Sequence, residues 1–166
     1  DPPRRRPPDA PKVGGIATVN LGFLLLADHS EAINGKIYAM GGGWNVLRFP
    51  RLPHEWGFAL AMGVDVPWDE TNQTYSLSMH IEDPDGELLG DEFSMDFEAG
   101  RPPGSIHGSD QRIVMSLQTR ATFATAGPHA VVVKIEDAEI GRSRFYVVEV
   151  PQQTPQMLSP EDQPPT

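Results

Sequence analysis

The sequence predicts an all-β protein, an antiparallel β-sandwich of about eight strands with an Ig-like or C2-like arrangement. Two observations predict it. Apolar residues recur at every second position in several short segments, and turn-forming residues separate these segments at spacings of about 8–12 residues. A closed barrel has similar patterning and is the alternative architecture. The length of 166 residues and the apolar content of 39% suit one domain.

The segment 75–81 shows the clearest alternation. Its odd-numbered residues, from Tyr75 to Ile81, are apolar, and Ser76, Ser78 and His80 between them are polar. Successive side chains of a strand point to opposite faces, so this pattern predicts a strand with one buried face and one face toward solvent or a partner. The same pattern predicts further strands at 58–64, 93–97, 113–117, 131–135 and 143–150.

Two earlier segments, 19–27 and 36–49, are more apolar than the alternating strands and are predicted to be central strands or strands covered on both faces. The second contains three consecutive glycines at 41–43, which predict a bulge or a close backbone approach. Residues 28–33 are the one candidate for a helical turn.

Turn signals join these strands. Asn34-Gly35 is a strong hairpin signal, because both residue types accept positive φ. The segment 83–86 (Asp-Pro-Asp-Gly) has the sequence of a type I turn, and 137–141 is predicted to link the final hairpin.

The chain divides into three regions. Residues 13–150 form the predicted sandwich domain. The segments 1–12 and 151–166 each contain five prolines and no apolar periodicity, which predicts disordered tails. The chain has no cysteine, which excludes disulfides and thiolate chemistry and fits a bacterial cytoplasm, where we expect the protein to reside.

The formal net charge of −10 bears on the partner. An acidic surface repels the phosphate backbone of nucleic acid. No apolar run approaches the roughly 20 residues that cross a bilayer. We therefore expect a protein partner rather than nucleic acid or a membrane, and the sequence leaves the oligomeric state open.

Two acidic loops, at 65–70 and 83–87, are weak candidates for a calcium site, with Asp65, Asp69, Asp83 and Asp85 as ligands. Calcium takes six to eight oxygens, often from loops at one end of a sandwich. The same residues are also good turn formers. The five histidines are scattered without ligand spacing, which favours surface or lightly buried histidines without a metal. No cofactor is predicted.

Catalytic patterns are weak, and we expect no enzyme. No serine lies in a GxSxG elbow. Ser105, His107, Ser109 and Asp110 share one loop, but working triads are built from separate elements.

The three tryptophans have different expected roles. Trp44 is predicted to pack in the core. Trp56 and Trp68 flank the strand 57–64 at predicted loop positions, so they are candidates for a binding surface. The alternative is that they cover the edge of the core.

Three short motifs resemble a family of small bacterial β-sandwich proteins of unknown function. They are Leu-Leu-Leu-Ala-Asp at 24–28, Asn-Gly-Lys-Ile-Tyr at 34–38 and Gly-Gly-Gly-Trp at 41–44. His129 departs from the tyrosine usual in that family, and 139–141 departs from its tight Asp-Gly turn. The resemblance implies a fold over about residues 19–150 and no activity.

Three functions are therefore considered. The first is a non-catalytic binding or structural module, and the second is a calcium- or ligand-dependent recognition domain that uses the acidic loops. The third is an enzyme of unrecognised type. A sandwich fold by itself does not decide among them.

Overall fold

The computed structural model describes residues 18–151, which form nine β-strands and one short 3₁₀ helix. The predicted tail 1–12, and all but the first residue of the tail 151–166, lie outside the described residues. Within the described part, no helix is long and apolar enough to cross a bilayer. The strands are β1 (Asn20–Ile33), β2 (Lys36–Gly42), β3 (Val46–Phe49), β4 (His54–Val66), β5 (Thr74–Glu82), β6 (Leu88–Glu98), β7 (Gln111–Phe123), β8 (Gly127–Ile135) and β9 (Ala138–Glu149), and the 3₁₀ helix is Trp68–Glu70.

The strands form two sheets packed on each other, which confirms the predicted all-β sandwich. Sheet A has the strand order β2-β1-β4-β7, and sheet B has the order β3-β9-β8-β5-β6. Neighbouring strands are antiparallel, except that β3 pairs with β9 in parallel. The parallel pair joins a strand early in the chain to the last strand.

The core lies between the sheets and is built from the alternating residues. On β5, the side chains predicted to face inward are each at most 4% exposed, which confirms the predicted register. The strands β4 and β8 contribute the central layer, namely Phe58, Leu60, Met62, Val64, Val131, Val133 and Ile135.

The single strand predicted at 36–49 is wrong. The chain leaves sheet A after Gly42 and enters sheet B at Val46, so the segment forms two strands in different sheets. Gly43 has a φ of +87°, which side-chain-bearing residues rarely adopt, and its N–H donates to the Leu26 carbonyl at 2.8 Å. The glycine run therefore turns the chain across the sandwich instead of bulging one strand.

This crossing carries Trp44 toward the core. Its ring centroid lies 5.4 Å from that of Phe58 and 5.8 Å from that of Phe145, both in edge-to-face geometry. Trp44 packs against the core as the sequence predicts.

The hairpin of β1 and β2 corrects two further expectations. Residues 28–33 continue β1 and do not form a helical turn. The turn at Asn34-Gly35 forms as predicted, with φ values of 50° and 72°. However, β2 is the edge strand of sheet A and not a central strand, and Tyr38 and Met40 are 56% and 67% exposed.

The part of this hairpin nearest its turn crosses the outer face of sheet A, which is the face away from sheet B. The Ser30 hydroxyl lies 2.6 Å from that of Ser116 on β7, and the Gln118 amide donates to the Ser30 carbonyl at 3.0 Å. Since β4 separates β1 from β7 in the sheet, the hairpin reaches β7 by passing over β4. The small side chains of Ala59 and Ala61, which are fully buried on that outer face, leave room for it.

The final hairpin turns earlier than predicted. Glu136 and Asp137 both have positive φ, 49° and 66°, and form a two-residue turn between β8 and β9. The predicted link at 137–141 is therefore wrong, because residues 138–141 already belong to β9.

Candidate functional site

The two acidic loops lie at opposite ends of the sandwich. The loop 65–70 precedes β5 and the loop 83–87 follows it, and β5 has nine residues. At a rise of about 3.3 Å per residue, the loops are roughly 25 Å apart. A single calcium ion cannot take ligands from both.

Within the first loop, Asp65 is already paired. Its two carboxylate oxygens accept hydrogen bonds from Nε and Nη2 of Arg112 at 2.6 and 2.7 Å. Asp69 lies on the 3₁₀ helix and is exposed. The loop therefore offers a carboxylate neutralised by an arginine and one solvated carboxylate.

In the second loop, Asp83 serves the turn. Its Oδ1 accepts the backbone N–H groups of Asp85 and Glu87, both at 2.9 Å. No group of three or more histidine, aspartate or glutamate side chains in the part of the chain that the structure describes is placed to hold a metal ion.

Trp68 joins two loops. The guanidinium carbon of Arg101 lies 4.1 Å from the centroid of its ring, and the His107 ring centroid lies 4.9 Å away. Arg101 also donates to the Trp68 carbonyl and to the Thr71 hydroxyl. The half-buried tryptophan therefore fixes the 3₁₀ helix to the loop between β6 and β7.

Trp56 lies within β4, so its predicted loop position is wrong. The residue is 38% exposed, and its ring centroid lies 6.0 Å from Phe49 and 6.5 Å from His54. It covers the end of the core where β3 leads into β4, which favours the structural interpretation of this tryptophan.

The serines of the loop 99–110 bind their own backbone. The Ser105 hydroxyl donates to the Pro102 carbonyl at 2.7 Å, and the Ser109 hydroxyl donates to the Ile106 carbonyl at 2.8 Å. The His107 ring contacts Trp68 instead. These residues do not form a nucleophile–base pair.

The outer face of sheet B carries a charged network that the sequence analysis missed. His80 is 8% exposed, which corrects its expected position toward solvent. Its Nε2 lies 3.3 Å from a Glu82 oxygen, and its Nδ1 lies 3.7 Å from a Glu92 oxygen. Arg142 on β9 donates to Glu82 at 3.0 Å. His129, 3% exposed, is the second buried histidine.

Arg142 extends this network to the final hairpin. It makes two hydrogen bonds of 2.7 and 2.6 Å to the Glu139 carboxylate. These bonds raise the pKa of Arg142 and lower the pKa of Glu139 below its usual value. Val132, 1% exposed, lies between Arg142 and His80 in the sheet register. The alternation predicts that His80 and Glu82 share a face, but only the strand register places Arg142 beside them.

A groove opens along one side of the sandwich between β6 and β7, the edge strands of the two sheets. We call it the β6–β7 groove, and its volume is about 310 Å³. Apolar side chains line its interior and charged side chains its rims. The principal lining residues are Met79, Asp91, Glu92, Phe93, Leu117 and Arg120. Phe93 is 39% exposed there. Sequence alternation predicts that Phe93 lies on the inner face of its strand. It does not predict that the sandwich is open between β6 and β7.

Solved structures of several sandwich domains are similar to this chain at low identity. An immunoglobulin-like protein from Pseudomonas aeruginosa has 15% identity and a TM-score of 0.34, with 81% of this chain and 99% of that chain covered. The CARDB domain of a Pyrococcus furiosus protein, in complex with di-metal ions, has 10% identity and a TM-score of 0.33, with coverages of 84% and 99%.

An alkylpurine DNA glycosylase, AlkC from Pseudomonas fluorescens, has 12% identity and a TM-score of 0.43. The match covers 80% of this chain and 31% of the glycosylase, so the chain corresponds to about a third of that enzyme's length.

Among curated proteins, none matches this sequence significantly. A family model does match, over residues 22–148. These residues include seven complete strands, β2 to β8, all of β1 but its first two residues and all of β9 but its last residue. The chain belongs to the family of unknown function DUF6941.

Proposed function

We propose that this domain is a non-catalytic protein-binding module that takes an extended segment of a partner protein into the β6–β7 groove. The observation that carries the proposal is the open side of the sandwich, where the edge strands of both sheets flank the exposed Phe93 and the partly buried Leu117.

The backbone of the groove supports this mode of binding. In the described chain, β6 pairs with β5 and β7 pairs with β4, so the other edge of each strand has no strand partner. Such an edge presents a row of N–H and C=O groups that an added strand can pair with. Main-chain hydrogen bonds of this kind supply affinity for an extended segment of almost any sequence.

The side chains of the groove supply selectivity. Met79, Phe93 and Leu117 offer apolar contacts between the sheets. Asp91 and Glu92 add negative charge along β6, and the whole chain carries −10. Since opposite charges steer association, the favoured partner segment has apolar residues at alternate positions and lysine or arginine among the others.

The charged groups elsewhere do not favour an enzyme. The loop serines are bound to backbone carbonyls, and the His80 network lies on a flat sheet face with its charges paired to one another. A catalytic site commonly requires a concave pocket with convergent groups. The β6–β7 groove is concave, but its lining residues provide contacts for a partner and not convergent catalytic groups.

A displayed library of random decapeptides tests the proposal. Selection on the wild-type domain is expected to enrich peptides with alternating apolar and cationic residues. Phe93→Ser, inside the groove, is expected to weaken their binding at least about tenfold, as loss of a buried aromatic anchor does. Leu88→Ser is the matched control, because Leu88 is a 55% exposed apolar residue of the same strand outside the groove.

Two results would overturn the proposal. One is a library from which no peptide is enriched. The other is a set of enriched peptides whose affinity is the same for the Phe93→Ser variant as for the wild type. A circular-dichroism melt of both variants shows that each is folded before binding is compared.

A further inference from the structure

One corner of the outer face of sheet B is basic and apolar. Arg48 on β3 and Arg144, Tyr146 and Val148 on β9 point outward there, because they alternate with buried core residues. Tyr146 and Val148 are 53% and 38% exposed. Neither arginine forms an ion pair with any described residue. The positive charge of this corner contrasts with the net charge of −10 of the whole chain.

The opposite corner of the same face is acidic. Asp96 and Glu98 lie on β6, where they pair with Ser76 and Thr74 at the start of β5. Glu136 lies beside them, since its carboxylate accepts the Ser76 backbone N–H at 2.9 Å. All three carboxylates belong to exposed residues.

The strand directions place these corners on a diagonal. The strands β5 and β8 are antiparallel, so the start of β8 lies beside the end of β5. The basic corner adjoins the start of β8, through the pairing of Tyr146 with Pro128, whereas the acidic corner adjoins the start of β5. Between them, the network of His80 and Arg142 covers the centre of the face.

We propose that two copies of this chain pack through the outer faces of their B sheets as a two-fold symmetric dimer. A two-fold axis in the plane of the interface, along the other diagonal of the face, puts the basic corner of each copy on the acidic corner of the other. The strands of the two sheets then cross at nearly a right angle, which is one of the two common ways in which sheets pack face to face.

The size of the face agrees with this arrangement. Five strands about 4.8 Å apart and roughly 25 Å long present on the order of 600 Å² before the relief of side chains is counted. Stable interfaces bury about 800 Å² on each partner. Tyr146 and Val148 provide the apolar contact. The two sets of opposite charges select this two-fold axis over one along the diagonal that joins the two corners, about which like corners would meet. This surface is separate from the β6–β7 groove.

A charge-swap experiment on the full chain tests the dimer. Sedimentation equilibrium of the wild type is expected to show a monomer–dimer equilibrium. The double variant Arg48→Glu with Arg144→Glu makes both corners acidic, and the double variant Asp96→Lys with Glu98→Lys makes both basic. Each variant alone is expected to be monomeric, with at least a tenfold weaker association, as repulsion between like charges at an interface predicts.

An equimolar mixture of the two double variants is expected to restore the dimer, because every corner contact in the mixed pair again joins opposite charges. Lys36→Glu, a charge reversal on sheet A outside the β6–β7 groove, is the control and is expected to dimerise like the wild type. A wild type that remains monomeric at every concentration overturns the proposal. So does a mixture that stays monomeric while both variants remain folded.

Discussion

The ring of Phe23 lies directly against the α-carbon of Gly63. The two residues are partners in the register of β1 and β4. A Cβ added to Gly63 would overlap two atoms of the Phe23 ring, so this position has no room for a side chain.

We expect Gly63→Ala to lower the free energy of unfolding by about 1–3 kcal/mol, because overpacking displaces the ring or the strand. Gly57→Ala is the control on the same strand, since its Cβ would lie 3.5 Å from the Thr119 carbonyl oxygen, an ordinary contact. Urea unfolding measures both. Equal effects of the two substitutions would show that Phe23 does not restrict position 63.

The register of β5 predicts opposite sensitivities of adjacent residues. Leu77 is fully buried, and we expect Leu77→Ala to cost about 2–5 kcal/mol of stability. Ser78 lies on the outer face, and Ser78→Ala is expected to change stability by less than about 0.5 kcal/mol. Urea unfolding of the two variants measures this contrast, and its reversal would mean that the strand is shifted by one residue.

The pair of Arg142 and Glu139 predicts a pH dependence of stability. The hydrogen bonds from Arg142 lower the pKa of Glu139, so the pair stabilises the fold above the pKa of an unfolded glutamate, about 4.3, and this contribution is lost as the pH falls through the lower folded pKa.

We therefore expect Arg142→Gln to reduce stability most above about pH 5 and least in strong acid, and to return the pKa of Glu139 toward its usual value. Carbon NMR of the carboxyl group measures that pKa directly. Arg120→Gln removes the same charge from sheet A and is the control. An unmoved Glu139 resonance in the Arg142 variant would argue against the pair.

Tyr75 predicts a loss of stability in alkali. Burial, and then the nearby Glu70 carboxylate, raise the pKa of Tyr75 above 10.0, and its hydroxyl donates to the Glu70 carbonyl at 2.7 Å. An unfolded tyrosine ionises first as the pH rises through about 10, so the stability linked to the neutral phenol is lost between that pH and the higher folded pKa.

Phenylalanine cannot ionise, so the stability difference between the wild type and Tyr75→Phe is expected to shrink above about pH 10. Guanidinium unfolding between about pH 8 and about pH 11 measures the difference. A difference that stays constant over this range would contradict the expectation.

Calcium is expected to leave the thermal stability unchanged. The two acidic loops are at opposite ends of β5, and Asp65 is bound to Arg112. A ligand that binds the native state raises its melting temperature by mass action, so melts in millimolar calcium and in chelator should superimpose. An upward shift in calcium, abolished by Asp83→Asn, would instead show a site at the loop 83–87.

The sequence predicted those features that local patterning determines. The inward face of β5 and the turn at Asn34-Gly35 follow from alternation and from the φ preferences of single residues. The division of 36–49 between two sheets could not be predicted, because a glycine run that bulges a strand and one that crosses the sandwich have the same local pattern.

The charged network could not be predicted for a related reason. His80 and Glu82 are two residues apart and share a face, but their partners Glu92, near His80, and Arg142, bound to Glu82, lie on other strands. Arg142 is 60 residues from Glu82 in the sequence, and only the pairing of β5, β8 and β9 brings them together. The same holds for the β6–β7 groove, which depends on which strands end the two sheets.

The parallel pairing of β3 with β9 has a consequence for biosynthesis. Val46 pairs with Tyr146, one hundred positions later. At about 5–20 residues per second, a ribosome needs roughly 5–20 seconds to make the intervening chain. During that interval β3 has no strand to pair with. Phe49 is 4% exposed in the folded protein, but it has no complete sheet to pack in until β9 is made. A chain released before β9 would leave β3 outside any sheet and β8 as an unpaired edge of sheet B, so completing sheet B requires synthesis through β9.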